Sequence, residues 1–277
     1  MHSHFAIIGM ATVKNGYPLI YDATNEWGLS VAALNFPQNA KYREKSLKKK
    51  NVAVFEFIPL LLGCCKTVIE AQLLIEKINL IGEDFDESLK TTPLHWLICD
   101  GEKAITVECV DEGVKIYENH IGVLTNNPPF QYHLTNLCNY MSLSAKEPKN
   151  NFSKKLDLKK YSRGMGALGL PGDNSSTSRF IRAAFLKFNS EPYDNNRVEQ
   201  FFRIMSGVEQ TKGTVILENG EKVISVYTSC CDTVKGIYYY KTYEGGFGAV
   251  YLHNCDLDSK NLFAFNLERL PKIHISN

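Results

Sequence analysis

The dipeptide Asn15-Gly16 is the feature that most narrows what this chain can fold into. It separates two runs rich in apolar and β-branched residues, Phe5 to Val13 and Tyr17 to Ala23. Asn-Gly supplies the two left-handed backbone positions that a two-residue hairpin turn requires. A second turn, Asn25 to Gly28, leads into Leu29 to Asn35, so the chain is predicted to open as an antiparallel meander. Helical spacing follows in Val54 to Leu62, closed by Gly63, and in Thr67 to Ile78, where Val68, Ala71, Leu74 and Ile75 share a face. Strand patterns return at Leu94 to Cys99, Ala104 to Cys109 and Val114 to Tyr117. Helices are expected over Phe130 to Leu143, Ser176 to Asn189 and Arg197 to Val208, and strands over Val223 to Cys230, Gly236 to Tyr243 and Ala249 to His253. Elements arranged in blocks, not in βαβ alternation, predict a layered α+β fold. The 277 residues, 44% hydrophobic, suffice for one sizeable core, so a single domain over residues 1–277 is expected.

Charge excludes some partners. Lys and Arg number 31 against 30 Asp and Glu, a formal net charge of +1, which gives no support for nucleic acid or a membrane surface as partner. The basic run Lys41 to Lys50 reads as a solvated loop. Eight cysteines, including the doublets Cys64-Cys65 and Cys230-Cys231, form no CxxC pair and offer no metal-ligand spacing. No basic leader with a small-residue cleavage site precedes the first strand. Together these predict a reducing, cytoplasmic setting with mostly buried thiols, in which Asn151-Phe152-Ser153 and Asn174-Ser175-Ser176 match a glycosylation pattern only by chance.

Spacing alone reveals no activity. Gly164-Met165-Gly166-Ala167-Leu168-Gly169 fits the dinucleotide fingerprint as letters. That motif works only between a strand and a helix N-terminus, and here polar Leu158 to Arg163 precedes it while Leu170-Pro171-Gly172 follows. A tight surface loop is the better account. None of the seven histidines stands in a metal-ligand spacing, and His95 beside Trp96 in an apolar strand reads as a satisfied core histidine. There is no GxSxG elbow and no Walker loop, and no metal or cofactor is expected.

Several longer runs carry more. Tyr21-Asp22-Ala23-Thr24-Asn25-Glu26-Trp27-Gly28-Leu29, Leu34-Asn35-Phe36-Pro37, Leu124-Thr125-Asn126-Asn127-Pro128 and Tyr161-Ser162-Arg163-Gly164-Met165-Gly166 closely resemble the choloylglycine hydrolase family. So do Leu170-Pro171-Gly172-Asp173, Ser175-Ser176-Thr177-Ser178-Arg179-Phe180, Ser229-Cys230-Cys231 and Gly236-Ile237-Tyr238-Tyr239-Tyr240, in family order over nearly the whole chain. The resemblance implies the four-layer αββα sandwich of N-terminal-nucleophile hydrolases. It implies cleavage of glycine- or taurine-conjugated bile salts, or of penicillin V in a sister branch. Asn126 matches the asparagine whose amide donates to the tetrahedral oxyanion. Asn35 matches the second oxyanion contact and the position that separates the branches, since penicillin V acylases typically carry an aromatic residue there. Arg179 matches the arginine beside the nucleophile, where a fixed positive charge favours thiolate. Phe85, Leu89 and Phe130 fall near the loops that line the steroid pocket, and a homo-tetramer is the assembly the resemblance suggests.

The chain also departs from the family pattern. There, a cysteine directly follows the initiator Met, its own α-amino group handles the proton, and an arginine and an aspartate follow shortly. Here His2 follows Met1, and the first cysteine is Cys64, predicted at a helix junction without an adjacent α-amine. The expectation is a sandwich incomplete at its N-terminus and a 277-residue chain that does not itself hydrolyse the substrate. Two accounts stand: a hydrolase of the bile salt branch represented by a truncated sequence, or a non-catalytic, bile-salt-binding product.

Overall fold

The computed structural model describes residues 4–272; Met1, His2, Ser3 and His274 lie outside the described residues. Two compact units result, one within Met1–Asn127 and Ile224–Asn277, the other Pro128–Val223.

In the first unit the expected hairpin forms between β1 (Ile7–Lys14) and β2 (Tyr17–Asn25), paired antiparallel. Asn15 and Gly16 adopt φ 53° and 75°, the left-handed pair such a turn demands. The register shifts between Met10 and Ala11. Gly9 is required just before this shift, since a Cβ there would lie 2.2 Å from the Asp22 carbonyl oxygen. Next come β3 (Ser30–Asn35), β6 (Leu94–Cys99), β7 (Ala104–Val110) and β8 (Gly113–Glu118), giving a six-stranded sheet in the order β1-β2-β3-β6-β7-β8.

Against this sheet packs α1 (Val54–Cys64), whose first turn is closed by Glu56 accepting the Ala53 N–H at 3.0 Å. Gly63 does not close this helix as expected; it lies inside, and the chain leaves at Cys65. Phe57, Leu61 and Leu62 meet Val31, Trp96, Ile98 and Val107 in one core. Each such fully buried side chain contributes ~1.5–3 kcal/mol. Asn25 clamps the helix end to the sheet: its Oδ1 accepts from the N–H groups of Trp27 and Leu29, and its Nδ2 donates to the carbonyls of Leu62 and Cys65 at 2.8 and 2.7 Å. The second helix, α2 (Val68–Lys77), is capped by Thr67, which accepts from Glu70 N–H.

Two strands are additions to the sequence reading. β4 (Lys50–Ala53) and β5 (Ile78–Ile81) pair parallel, with α1 and α2 as the connection. β5 is buried at all four positions, so it shows no alternation and reads as a helix end. The C-terminal sheet runs β11-β10-β9, from β9 (Tyr227–Asp232), β10 (Ile237–Thr242) and β11 (Phe247–Tyr251). β9 thus begins at Tyr227, later than the predicted Val223.

In the second unit α3 (Phe130–Leu137) is shorter than predicted and passes into a 3-10 turn at Cys138–Tyr140. α4 (Ser176–Asn189) has the predicted bounds, capped by Ser175 accepting from Ser178 N–H, and α5 (Arg197–Ser206) is capped by Asn196. The Gly164–Gly169 stretch holds only a 3-10 turn at Met165–Ala167 and opens no helix, so the loop reading stands. Among the described residues no helix is long and apolar enough to cross a membrane.

Candidate active site

Asn35 ends β3 and is exposed. The next residue, Phe36, is fully buried and stacks on His95 with ring centroids 4.3 Å apart and planes 5° from parallel. Its N–H donates to the Pro93 carbonyl at 2.8 Å, so the chain just beyond Asn35 is fixed by both ring and backbone.

Asn126 stands in the segment after β8. Asn119 organises that segment: its Oδ1 accepts from Gly122 N–H, and its Nδ2 donates to Thr106 Oγ1 and to the Val123 carbonyl. The Thr125 carbonyl lies 2.7 Å from His95 Nε2. Asn126 Nδ2 then donates to the Asn35 main-chain carbonyl at 2.7 Å, and Asn127 Nδ2 donates to the Pro37 carbonyl. Two asparagines far apart in sequence therefore meet at one sheet end. His95, fully buried, also faces Glu108 Oε1 through Nδ1 at 3.1 Å, which makes it the satisfied core histidine the sequence suggested.

Arg179 belongs to α4, in the other unit. Its Nε donates to the Asn174 carbonyl at 3.1 Å. Burial and the neighbouring Arg182 hold its guanidinium below the usual arginine range. Arg182 donates to the carbonyls of Pro171, Asp173 and Gly207, tying the loop before α4 to the end of α5.

Phe85 and Leu89 share one tight turn, in which Phe85 N–H donates to the Leu89 carbonyl at 3.1 Å. The Phe85 ring lies against Tyr17 and Phe55, at 5.5 and 5.2 Å, and Lys14 pairs with Asp86 at 2.6 Å, so this turn is anchored to the β1–β2 hairpin. Phe130 is fully buried in the second unit against Phe180 and presents no surface there.

The thiols depart from the sequence expectation: Cys65 and Cys109 are buried, Cys64 and Cys138 exposed, and the other four partly buried. None forms a disulfide. Burial, with Cys64 and Glu70 nearby, pushes the Cys65 thiol up to about 12, away from the thiolate that nucleophilic attack needs. Among the described residues no three His, Cys, Asp or Glu side chains group as a metal site would.

One cluster was not anticipated. The Asp22 carboxylate on β2 accepts from the hydroxyls of Tyr227, Ser229 and Tyr238 at 2.5, 2.8 and 2.5 Å, joining the six-stranded sheet to the C-terminal one. Asp22, Ser229 and Tyr238 each fall in a run that carries the family resemblance, but nothing in their spacing joins them.

The family model for linear amide C–N hydrolases of the choloylglycine hydrolase family matches residues 1–265. A bile salt hydrolase/transferase of Lactiplantibacillus plantarum is 49% identical over 277 residues, covering 99% of this chain and 86% of that protein. The bile salt hydrolase/transferase of Clostridium perfringens is 33% identical over 278 residues, covering 99% and 84%. A crystal structure of a variant of the conjugated bile acid hydrolase from C. perfringens superposes with a TM-score of 0.88 at 33% identity, over 99% of this chain and 85% of that one. Penicillin V acylase from Agrobacterium tumefaciens shares the fold, with a TM-score of 0.68 at 18% identity over 87% and 69%. The architecture is thus the αββα sandwich of N-terminal-nucleophile hydrolases.

Proposed function

Since the chain belongs to the choloylglycine hydrolase family of linear amide C–N hydrolases, we propose that it acts in the bile salt branch, hydrolysing the amide of glycine- or taurine-conjugated bile salts. The observation that carries this reading is the pairing of Asn126 with Asn35 at one sheet end. In amide hydrolysis a thiolate adds to the carbonyl carbon, and the carbonyl oxygen takes up negative charge. Amide N–H donors fixed beforehand lower that barrier, each by ~3 kcal/mol, because they need not reorganise as charge forms. Asn126 supplies one donor, Asn35 the second contact, and Arg179 the positive charge that favours thiolate and the developing anion. Phe85 and Leu89 present apolar surface suited to a steroid. Phe130, carried over by resemblance as a pocket residue, is buried against Phe180 of α4 within the second unit. We place the protein in the cytoplasm, which suits eight cysteines that form no disulfide, and take a homo-tetramer as its assembly.

The nucleophile is not assigned to Cys64 or Cys65: neither adjoins an α-amine, and Cys65 is held far from its thiolate form. That chemistry favours one second reading, a protein that binds conjugated bile salts without cleaving them. The deciding experiment incubates glycocholate and taurocholate with the 277-residue chain and with the protein expressed from its complete gene. Released glycine or taurine and free cholate are then measured. Release by either form supports the hydrolase; binding of taurocholate with no release from either overturns it in favour of the second reading.

A further inference from the structure

His95 lies behind both asparagines, and its two ring nitrogens face different acceptors. Nε2 is 2.7 Å from the Thr125 carbonyl, which cannot donate, so Nε2 carries the proton of that hydrogen bond. Nδ1 is 3.1 Å from Glu108 Oε1. Two lone pairs do not approach in that way inside a protein, so a proton lies between them. Either the pair is imidazolium with carboxylate, or it is neutral imidazole with carboxylic acid. Both forms keep Nε2 a donor and leave the pair without net charge. A neutral histidine protonated on Nδ1 would instead turn a lone pair on the Thr125 carbonyl. Glu108 therefore holds the ring in the orientation that keeps Nε2–H on the Thr125 carbonyl, as carboxylates orient buried histidines elsewhere.

The setting is dry. His95, Glu108 and Phe36 are fully buried and Thr125 nearly so. His95 sits on β6 opposite Leu34, and β3 places Asn35 one step further along. The ring face of His95 carries Phe36, next to Asn35, while its edge holds Thr125, next to Asn126. One side chain thereby fixes the residue adjoining each member of the asparagine pair.

We propose that the His95–Glu108 pair is the positioning device of the oxyanion-binding site, acting through Phe36 on Asn35 and through the Thr125 carbonyl on Asn126. This rests on the amide-hydrolase reading above. His95 touches no substrate; it sets the angle from which Asn126 donates. Displacement of a positioned group by ~1 Å is enough to lower a rate ~10²-fold.

The test compares His95→Leu, Glu108→Gln and Phe36→Leu in the protein expressed from its complete gene, with glycocholate as substrate. His95→Leu keeps the volume and removes the donor; the expected result is kcat lower by ~10- to 100-fold with KM changed less than ~3-fold. Glu108→Gln is the rescue: its amide N–H donates to Nδ1 and keeps the proton on Nε2, so kcat stays within ~3-fold of the parent. Phe36→Leu retains the hydrogen bond and loses the stacking, with an intermediate fall in kcat, and serves if His95→Leu does not fold. A folded His95→Leu or Phe36→Leu protein with parental kcat, or one altered only in KM, overturns the proposal. If the parent itself releases no glycine, the hydrolase reading has failed, and the positioning claim is read from the Asn126 side-chain amide by NMR, assigned through Asn126→Ala. Faster exchange of its hydrogens in His95→Leu, by ~10-fold, supports positioning; unchanged exchange overturns it.

Discussion

Asn126 donates its side-chain N–H to the main-chain carbonyl of Asn35 at 2.7 Å, across 91 residues of sequence. An amide nitrogen can donate twice. The bond that fixes this rotamer is therefore compatible with a second donation toward a substrate oxygen. Fixing the donor before substrate arrives is what makes such a contact worth more in the transition state than in the ground state.

Replacing Asn126 by Ala in the protein from the complete gene is expected to lower kcat for glycocholate by ~10²- to 10³-fold, with a smaller change in KM. Steady-state kinetics on the folded variant check it. Full retention of kcat removes Asn126 from the oxyanion role.

The same protein is expected to prefer conjugated bile salts to penicillin V. A short amide at Asn35 leaves room for a bulky steroid acyl group. An aromatic ring there narrows the entrance toward a flat phenoxyacetyl group. Asn35→Tyr should shift the ratio of kcat/KM values toward penicillin V by ~10-fold, the usual scale for one pocket contact. A parent that already handles penicillin V better than glycocholate contradicts the branch assignment while leaving the family intact.

Asp22 joins two sheets through Tyr227, Ser229 and Tyr238, so its loss strands three hydroxyls at once. Asp22→Ala is expected to lower unfolding free energy by ~2–4 kcal/mol in urea denaturation. Burial holds the Asp22 carboxyl above the ordinary carboxylate range, even though hydrogen bonds from the three hydroxyls pull it down. A raised folded pKa means the folded state binds the proton more tightly. The stabilisation is then full below the unfolded pKa and is lost as pH rises through the folded value. The stability gap between the parent and Asp22→Asn should consequently shrink between pH 3.5 and pH 7. A gap that widens over that interval contradicts the assignment.

How much of this was legible in the sequence depended on range. The Asn15-Gly16 hairpin, β6 and α4 were read with near-final bounds because each is specified locally, by a turn dipeptide, an apolar run or a Ser175 cap. β4 and β5 are too short to show a period: β5 is buried at all four positions, and β4 runs from exposed Lys50 to buried Ala53 without alternating. α3 ends at Leu137, short of the predicted Leu143, where the chain tightens into the 3-10 turn Cys138–Tyr140. The apolar strand around His95 marks it as a core residue, but its partners Glu108 and Thr125 come from two other segments, and spacing gives no hint of them. Asn35 and Asn126 entered as candidates through resemblance alone; their contact depends on the β3–β6 pairing and on the Asn119 turn, which only the fold assembles.

Asp100 offers a pH test of opposite sign. It follows β6 directly, and its Oδ2 accepts the Val68 N–H of α2 at 2.8 Å, while its Oδ1 accepts from Glu102 and Lys103 N–H at 2.8 Å. A carboxylate at a helix N-terminus satisfies a backbone donor that the helix itself leaves unbonded, and it also favours the helix dipole. Partial burial pushes the Asp100 carboxyl up, but the N–H donors of Val68, Lys103 and Glu102, with the Lys103 charge, outweigh it and hold the group below the usual carboxylate range. A depressed folded pKa means that the unfolded chain binds the proton more readily. The contribution is therefore present above the unfolded pKa, near 3.9, and is lost as pH falls through the folded value. Asp100→Ala removes a cap and should lower stability at pH 7 by ~0.5–2 kcal/mol. Asp100→Asn should also lower it, since its Oδ1 accepts on one side while its Nδ2 cannot accept the N–H groups on the other. The gap between parent and Asp100→Asn should close as pH drops from 6 toward 3, the reverse of the trend at Asp22. Urea unfolding of the three proteins at matched ionic strength reads both differences directly. An Asp100→Asn deficit that stays constant across that range shows that geometry alone, and not the charge, supports the end of α2.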